Sequence, residues 1–474
     1  MFLQKPDKGA LDSLIMLAIG VVLIVTLVPF QVVDTLLVGG LFLIIAHMFL
    51  REKVILLFLF VRPMIDFLRD LQVVSLGTYT LNLNAAFSIL FFLWAIYMIT
   101  RNRKILENVP EKHPFLILIG LIIVSFLYSV SPASTLESTL RFVNLCFFFF
   151  LGYGFVSARR IKLSEVTGAI LASAVIPVLF GLGQLFFGEG LDTLGARGRI
   201  FGTLGHPNVF AFFLLSLLII HSHVSGIRSV GPWRKNKYKH YRDLIYVILI
   251  LLLVLTYTRV TIVGLLLYLV ILGVYRYRNL LYTVLVSIAT FYLIFFPVND
   301  ALRSITGISL DDIPIIARIT ERNEDADSIS WRLSVAEEAL TLIRVRPLLG
   351  YGYGSFETVW KTNRSELHEW DDSAEAHNEY LRITLELGII GLAAFLYLFA
   401  RLVLLTLQTA DTAKRLEYLI HVLGWMSVIV VASFSDNMLR HTPVMWLTFA
   451  YWGAVLADTR RRGFGVNLLR KKGS

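Results

Sequence analysis

Four side chains in this sequence combine reactive chemistry with a costly or unusual position. Arg259 is the lone charge in an otherwise uncharged run of 32 residues, Leu244 to Tyr275. An ionisable group within a membrane-length segment costs roughly 2.5–3.5 kcal/mol and by default marks a functional position. Arg197 and Arg199 stand in Ala-Arg-Gly-Arg-Ile-Phe-Gly-Thr-Leu-Gly-His-Pro-Asn, which leads into an apolar helix near Pro207. His377 stands in Ala-His-Asn-Glu-Tyr, just ahead of another apolar run. Arginine binds phosphate through strong, often bidentate, charge-assisted bonds. A Gly-rich approach to a helix start adds backbone donors to the same task. A histidine, with an ordinary pKa near 6.5, can orient or deprotonate a hydroxyl.

Each of these residues also has a plain structural role open to it. Arg197 and Arg199 could be solvated loop residues, and Arg259 a turn residue whose long side chain snorkels to water. His206, beside Pro207, fits the start of a helix, and a lone histidine such as His377 in a polar loop is often structural. Arg62, Arg69, Asp436 and Arg440 could line the same cavity. No cluster has metal-ligand spacing: the aspartates at 311–312 and 371–372 lack partner histidines at helical spacing.

The elements that must position these groups are membrane helices. Of 474 residues, 56% are hydrophobic and only 16% charged, against about 25% charge in soluble domains. The net charge of +10 does not point to nucleic acid, because the basic residues sit in short clusters between apolar runs, which is how membrane topology is written. The single cysteine, Cys146, excludes an intramolecular disulfide. The first apolar run reads as a helix and not as a cleavable leader. Apolar windows of about 20 residues predict an all-α polytopic membrane protein with about 12–14 crossings. Eleven fall in residues 1–297, including one over 53–68 that Arg62 and Pro63 interrupt, and three in 383–474 ahead of a basic tail.

With both termini cytoplasmic, about 27 of the 44 Lys and Arg fall in inner loops and about six in short outer ones, as the positive-inside rule requires. Residues 298–382 then form an extracytoplasmic loop of about 85 residues with 16 acidic and nine basic side chains. Loops of this length are usually functional. Within it, Leu333, Ala336, Leu340 and Ile343 recur at helical spacing and predict an amphipathic helix over Trp331–Leu349. Gly350, Gly352 and Gly354 follow as a break. Arg197, Arg199, Arg259 and His377 all land on the extracytoplasmic side. The run containing Arg259 is too long for one crossing and short for two, so Arg259 stands either at a tight turn or within the membrane.

Several of these stretches together resemble the O-antigen ligase and polymerase superfamily. They are Arg-Ile-Phe-Gly-Thr-Leu-Gly-His-Pro-Asn (199–208), the Arg259 turn, Arg-Pro-Leu-Leu-Gly-Tyr-Gly-Tyr-Gly-Ser-Phe (346–356) and His-Asn-Glu-Tyr-Leu followed by Leu-Glu-Leu-Gly-Ile-Ile-Gly-Leu (377–392). The resemblance covers about residues 165–435. It implies a membrane glycosyltransferase of the bacterial cytoplasmic membrane, with its site on the extracytoplasmic face. Such an enzyme moves a glycan from undecaprenyl diphosphate to a hydroxyl of a glycan or glycolipid acceptor, with inversion and with no cofactor or metal.

By the same resemblance Arg199 and Arg259, with Arg197 beside them, would hold the diphosphate. His377 would be the catalytic partner of Arg259 and would act on the acceptor hydroxyl, while His206, Asn208 and Asn378 would contact the glycan. The lipid bilayer and a chain-length regulator are further expected partners, and nucleic acid is not. Ligase and polymerase stay open, since they differ in acceptor. A different class, a lipid-linked oligosaccharide flippase, would place charges near mid-membrane in both halves and would not need the large outer loop.

Overall fold

The computed structural model describes residues 32–68, 71–76, 79–193, 196–226, 239–275, 277–306, 328–364, 375–409 and 415–471. Helices dominate it, beside two small antiparallel hairpins, β1 (Gln72–Leu76) with β2 (Tyr79–Asn82) and β3 (Leu191–Thr193) with β4 (Ala196–Arg199). The chain is an all-α polytopic membrane protein. Among the described residues, five helical segments are long and apolar enough to cross a membrane: Leu83–Arg101, Pro132–Ser157, Leu163–Phe187, Glu379–Gln408 and Glu417–Phe434. Shorter apolar helices cover Lys112–Ser125, Pro207–His223, Asp243–Leu255 and Arg259–Tyr275. The first apolar run, read from the sequence as a crossing near 12–30, lies outside the described residues. That over 53–68 is instead an eight-residue helix, Val54–Val61, which is too short to span. Arg62 and Pro63 end it in a turn.

Seven helices carry the site and its supports. They are α1 (Pro132–Ser157), α2 (Pro207–Gly226), α3 (Lys239–Leu255), α4 (Arg259–Tyr275), α5 (Ser328–Val345), α6 (Glu379–Thr409) and α7 (Thr442–Lys471). At the centre, α7 runs against α1 with small residues at the crossing. A Cβ on Gly152 would lie 2.6 Å from the carbonyl oxygen of Ala450, and one on Gly453 would lie 2.3 Å from that of Phe149. In lipid, where apolar contact with a neighbouring helix gains little over contact with acyl chains, such close backbone approach is a main source of helix association. Polar residues thread this core: Thr406 accepts from the indole of Trp452 at 2.8 Å.

The long apolar run divides at a turn. Helix α3 ends at Leu255, α4 begins at Arg259, and Tyr257 between them takes a left-handed φ of 51°. Arg259 is therefore the first residue of a helix and not a mid-helix charge.

The polar segment after residue 297 is partly helical from its start, because the helix Arg278–Thr306 continues through Pro297. Helix α5 forms where the periodicity predicts it, but on a different face. Val335 and Ala339 are buried while Leu333 and Leu340 are 60% and 45% exposed. The buried stripe, which also takes in Trp331, Leu342 and Ile343, packs with Tyr351, Phe356, Val359 and Trp360 into a second, smaller core.

The glycine run after α5 is a strap laid on α6. Gly388, at φ 66°, interrupts α6, and the freed carbonyls of Leu385 and Glu386 accept from the backbone N–H groups of Tyr351 (3.1 Å) and Gly352 (2.9 Å). Gly350, Gly352 and Gly354 all have left-handed φ. Added Cβ atoms there would collide with Leu385 O, Ser129 Cα and Ser138 Oγ. Glycine at these positions is a requirement of packing.

Candidate active site

Four helices begin at one place: α2 at Pro207, α4 at Arg259, α6 at Glu379 and α7 at Thr442. Each start leaves backbone N–H groups without intrahelical partners and carries about half a positive charge. The residues at or just before these starts share a buried hydrogen-bond network. Arg199, 4% exposed at the end of β4, donates from Nε to the carbonyl of Thr256 (2.9 Å). Its Nη2 donates to Asn208 Oδ1 (3.1 Å) and Thr258 Oγ1 (3.2 Å). Asn208 passes the connection on, its Nδ2 donating to Asp436 Oδ2 at 3.1 Å. The other Asp436 oxygen takes the amide of Asn437 (2.8 Å) and lies 3.0 Å from His441 Nε2. Glu375 closes the cluster, accepting from Asn437 Nδ2 (3.2 Å) and Arg440 Nη1 (3.3 Å).

His377 faces this network. Ring and carboxylate atoms of Glu375, His377 and Asp436 all lie within 4.8 Å of one another. Its backbone is held at a left-handed φ of 43°, a conformation that costs a non-glycine residue about 1–3 kcal/mol and gathers at functional sites. Its Nδ1 is buried with no hydrogen-bond partner among the described residues. Trp331 of α5 meets the ring edge-on with centroids 5.3 Å apart, and Arg332 beside it donates to Ser435 Oγ at 3.2 Å. Helix α5 thus brings the large loop onto the helix starts.

The electrostatics divide the histidines into two kinds. Burial, aided by Arg332 and His441, holds His377 below the usual histidine value despite Asp436 and Glu375. Burial and then Arg199 push His206 down to about 4. His441 goes the other way: burial opposes its charge, but the Asp436 carboxylate and its hydrogen bond outweigh that and raise it. Asp436, although buried, is held well below the usual carboxylate range by His441. Burial likewise opposes ionisation of Glu375, and Arg440 overcomes it, so the net shift is downward. The site therefore presents two neutral imidazoles beside two neutralised carboxylates.

Of the residues singled out in the sequence, Arg199, His206, Asn208, His377, Asp436 and Arg440 meet here. Arg259 follows directly on Thr258, whose hydroxyl donates to Asn208 Oδ1 at 3.3 Å. Its half-buried position puts it at the edge of the network. Arg197 lies in β4 and its side chain is outside the described residues. Asn208 is woven into the network through both ends of its amide, and Asn378 caps α6, its Oδ1 accepting from Tyr380 N (3.0 Å) and Leu381 N (3.1 Å). Both hold neighbouring parts of the fold in place through these bonds. Arg62 is buried against Asp66 (2.8 Å) and Thr442 (2.7 Å), one residue beyond His441. Glu375, His441, Trp331 and Arg332 were not foreseen as site residues. The polar stretch Ser-Asp-Asn-Met-Leu-Arg-His (435–441) between two apolar runs is the signal that would have found His441.

Glu375, His377 and Asp436 have the spacing to hold a cation. Their carboxylates are already bonded by His441, Arg440 and Asn437, so a metal would have to displace those partners. The anion-directed helix starts fit a phosphate-bearing ligand better.

Residues 244–396, which hold both Arg259 and His377, match the family model described as O-antigen ligase. This central segment is similar to the O-antigen ligase family. The matched segment is joined in the fold by Arg199 from before it and by Asp436 and His441 from after it. Proteins of Rickettsia felis and Rickettsia typhi, each named "Putative polysaccharide ligase", are 35% identical over 111 and 107 residues, or 21% and 20% of this chain. A Rickettsia conorii protein of the same name is 27% identical over 169 residues, 33% of this chain and 39% of its own. The match spans about a quarter (26%) of the first two relatives.

Proposed function

We propose that this protein is a membrane glycosyltransferase of the O-antigen ligase type that moves a glycan from undecaprenyl diphosphate to an acceptor hydroxyl. The observation that carries this reading is the meeting of four helix starts with Arg199 and an unpaired, neutral His377. Helix starts and arginine bind the diphosphate and offset the charge that grows on it as it leaves. Arg259, at the first turn of α4, adds a second guanidinium at the rim. His377 takes the proton of the attacking hydroxyl, a role for which it must be neutral and unbonded. Displacement by that hydroxyl from the face opposite the diphosphate inverts the anomeric centre. Trp331 and Arg332 of α5 lie on the side of His377 from which the acceptor sugar would arrive.

With the positive-inside topology of the sequence, the site opens to the extracytoplasmic face of the bacterial cytoplasmic membrane. Residues 1–297, 298–382 and 383–474 then act as scaffold, cover and closing bundle. Purified protein in nanodiscs, given an undecaprenyl-diphosphate glycan and a soluble acceptor glycan, is expected to release undecaprenyl diphosphate and lengthen the acceptor. Movement of intact lipid-linked glycan across a vesicle membrane with no release would instead make the protein a transporter.

A further inference from the structure

His206 is half-buried at the mouth of α2, and its role follows from which of its nitrogens is already in use. Pro207 opens the helix and has no N–H, so the first backbone donor belongs to Asn208. That N–H donates to His206 Nδ1 at 3.1 Å. An imidazole can cap a helix this way only through its unprotonated nitrogen, so the proton of the ring is on Nε2. Among the described residues nothing accepts from Nε2. The ring therefore offers one donor, no acceptor and no charge.

The surroundings keep it so. Of the groups that face His206, Arg199, His441 and His377 disfavour a second proton and only Asp436 favours one, on top of the burial that lowers its pKa to about 4. The start of α2 adds its own positive end. A histidine kept neutral by a helix start so that it can donate a hydrogen bond is a known way to stabilise developing oxyanions.

We propose that His206 is a catalytic residue, presenting its Nε2–H to the diphosphate oxygen that leaves the sugar. This rests on the function proposed above and assigns to His206 a part different from glycan contact. In the step, the bond from the anomeric carbon to the diphosphate oxygen breaks and its electron pair stays on that oxygen. The acceptor oxygen forms the new bond to the same carbon, and the acceptor's proton passes to His377. His206 keeps its proton throughout; its hydrogen bond tightens as the oxygen becomes more negative. The arginines meet charge that the bound diphosphate already carries, whereas a neutral donor gains most in the transition state, and such differential binding is what raises kcat.

Two readouts test this. Asparagine is among the best helix caps, so His206→Asn keeps the start of α2 but removes the Nε2–H. It is expected to melt with the wild type and to lose kcat by about 10²–10³-fold with little change in KM, as for loss of one oxyanion donor. Full kcat in His206→Asn overturns the proposal. Independently of turnover, 15N spectra of histidine-labelled protein in nanodiscs should show His206 as the neutral Nε2–H form at pH 7, its N–H proton moving downfield when undecaprenyl diphosphate is added. An Nδ1–H form, an imidazolium, or a resonance that undecaprenyl diphosphate does not move overturns it, even if no glycan transfer is found.

Discussion

Two buried charged clusters sit at the start of α6, a turn or two of helix apart, and they are finished differently. Around Arg382, Glu379 and Glu386 bracket the guanidinium, the latter at 2.9 Å. The remaining carboxylate oxygens take the backbone N–H groups of Leu439 (3.2 Å) and Phe356 (3.3 Å). Every carboxylate oxygen there has a partner, and among the described residues only Arg382 Nε lacks one. Around His377 the carboxylates are also paired, but His377 Nδ1 and Asn437 Oδ1 are buried and have no partner among the described residues. Buried polar groups are almost always hydrogen-bonded in folded proteins. A cluster that leaves over only a guanidinium N–H fixes shape, whereas one that leaves over an imidazole nitrogen and an amide oxygen has valences suited to a hydroxyl ligand. By this measure Arg382 ties the large loop and the segment before α7 to α6, and the cluster beside it is the proposed reaction site.

The comparison predicts opposite phenotypes from neighbouring substitutions. His377→Ala should lower kcat by about 10²–10⁴-fold, the usual contribution of a general base, with the melting temperature nearly unchanged; full activity would remove His377 from the chemistry. Arg382→Met should do the reverse. It leaves two buried carboxylates unpaired and is expected to cost about 3–5 kcal/mol of stability, visible as a large fall in melting temperature. Any protein that stays folded should turn over normally. If Arg382→Met melts like the wild type and is inactive, the two clusters have been assigned the wrong way round.

Smaller effects sharpen the contrast. His377 must be neutral to accept a proton, and its pKa in the folded protein is depressed. Activity should therefore hold as pH falls through the ordinary histidine value near 6.5 and decline only below it. A kcat profile whose acid limb lies above 6.5 would contradict the assignment. The smallest effect expected is none: exhaustive chelation should leave turnover unchanged, because His441 and Arg440 already occupy the carboxylates that a metal would need. Loss of activity with EDTA, restored by one divalent cation, would instead make Glu375, His377 and Asp436 a metal site.

Much of this was legible in the sequence, and the reasons for the rest are physical. Arg199 and His377 were visible because charge beside long apolar runs is rare and costly in a membrane protein. The turn before Arg259 could be narrowed to two readings but not chosen, since Thr256, Tyr257 and Thr258 are as compatible with a continuous helix as with a break. The amphipathic helix over 328–345 was legible from its period. Its buried face was not, because Leu333 and Leu340 are as apolar as the residues that are buried. The bonds from Asn208 to Asp436 and from Asn437 to Glu375 join residues far apart in the chain, and nothing local in either partner encodes them. Asn378 also caps α6 just before Glu379, a common use of asparagine at a helix start.

The central claim is that the four helix starts form a diphosphate site. It is tested most directly by measuring undecaprenyl diphosphate binding to protein in nanodiscs, for the wild type, Arg199→Ala and Arg259→Ala. Saturable binding to the wild type, weakened at least about tenfold in both variants, as loss of a charge-assisted contact worth about 1.5–3 kcal/mol requires, is the predicted result. Equal affinity in all three folded proteins would contradict it.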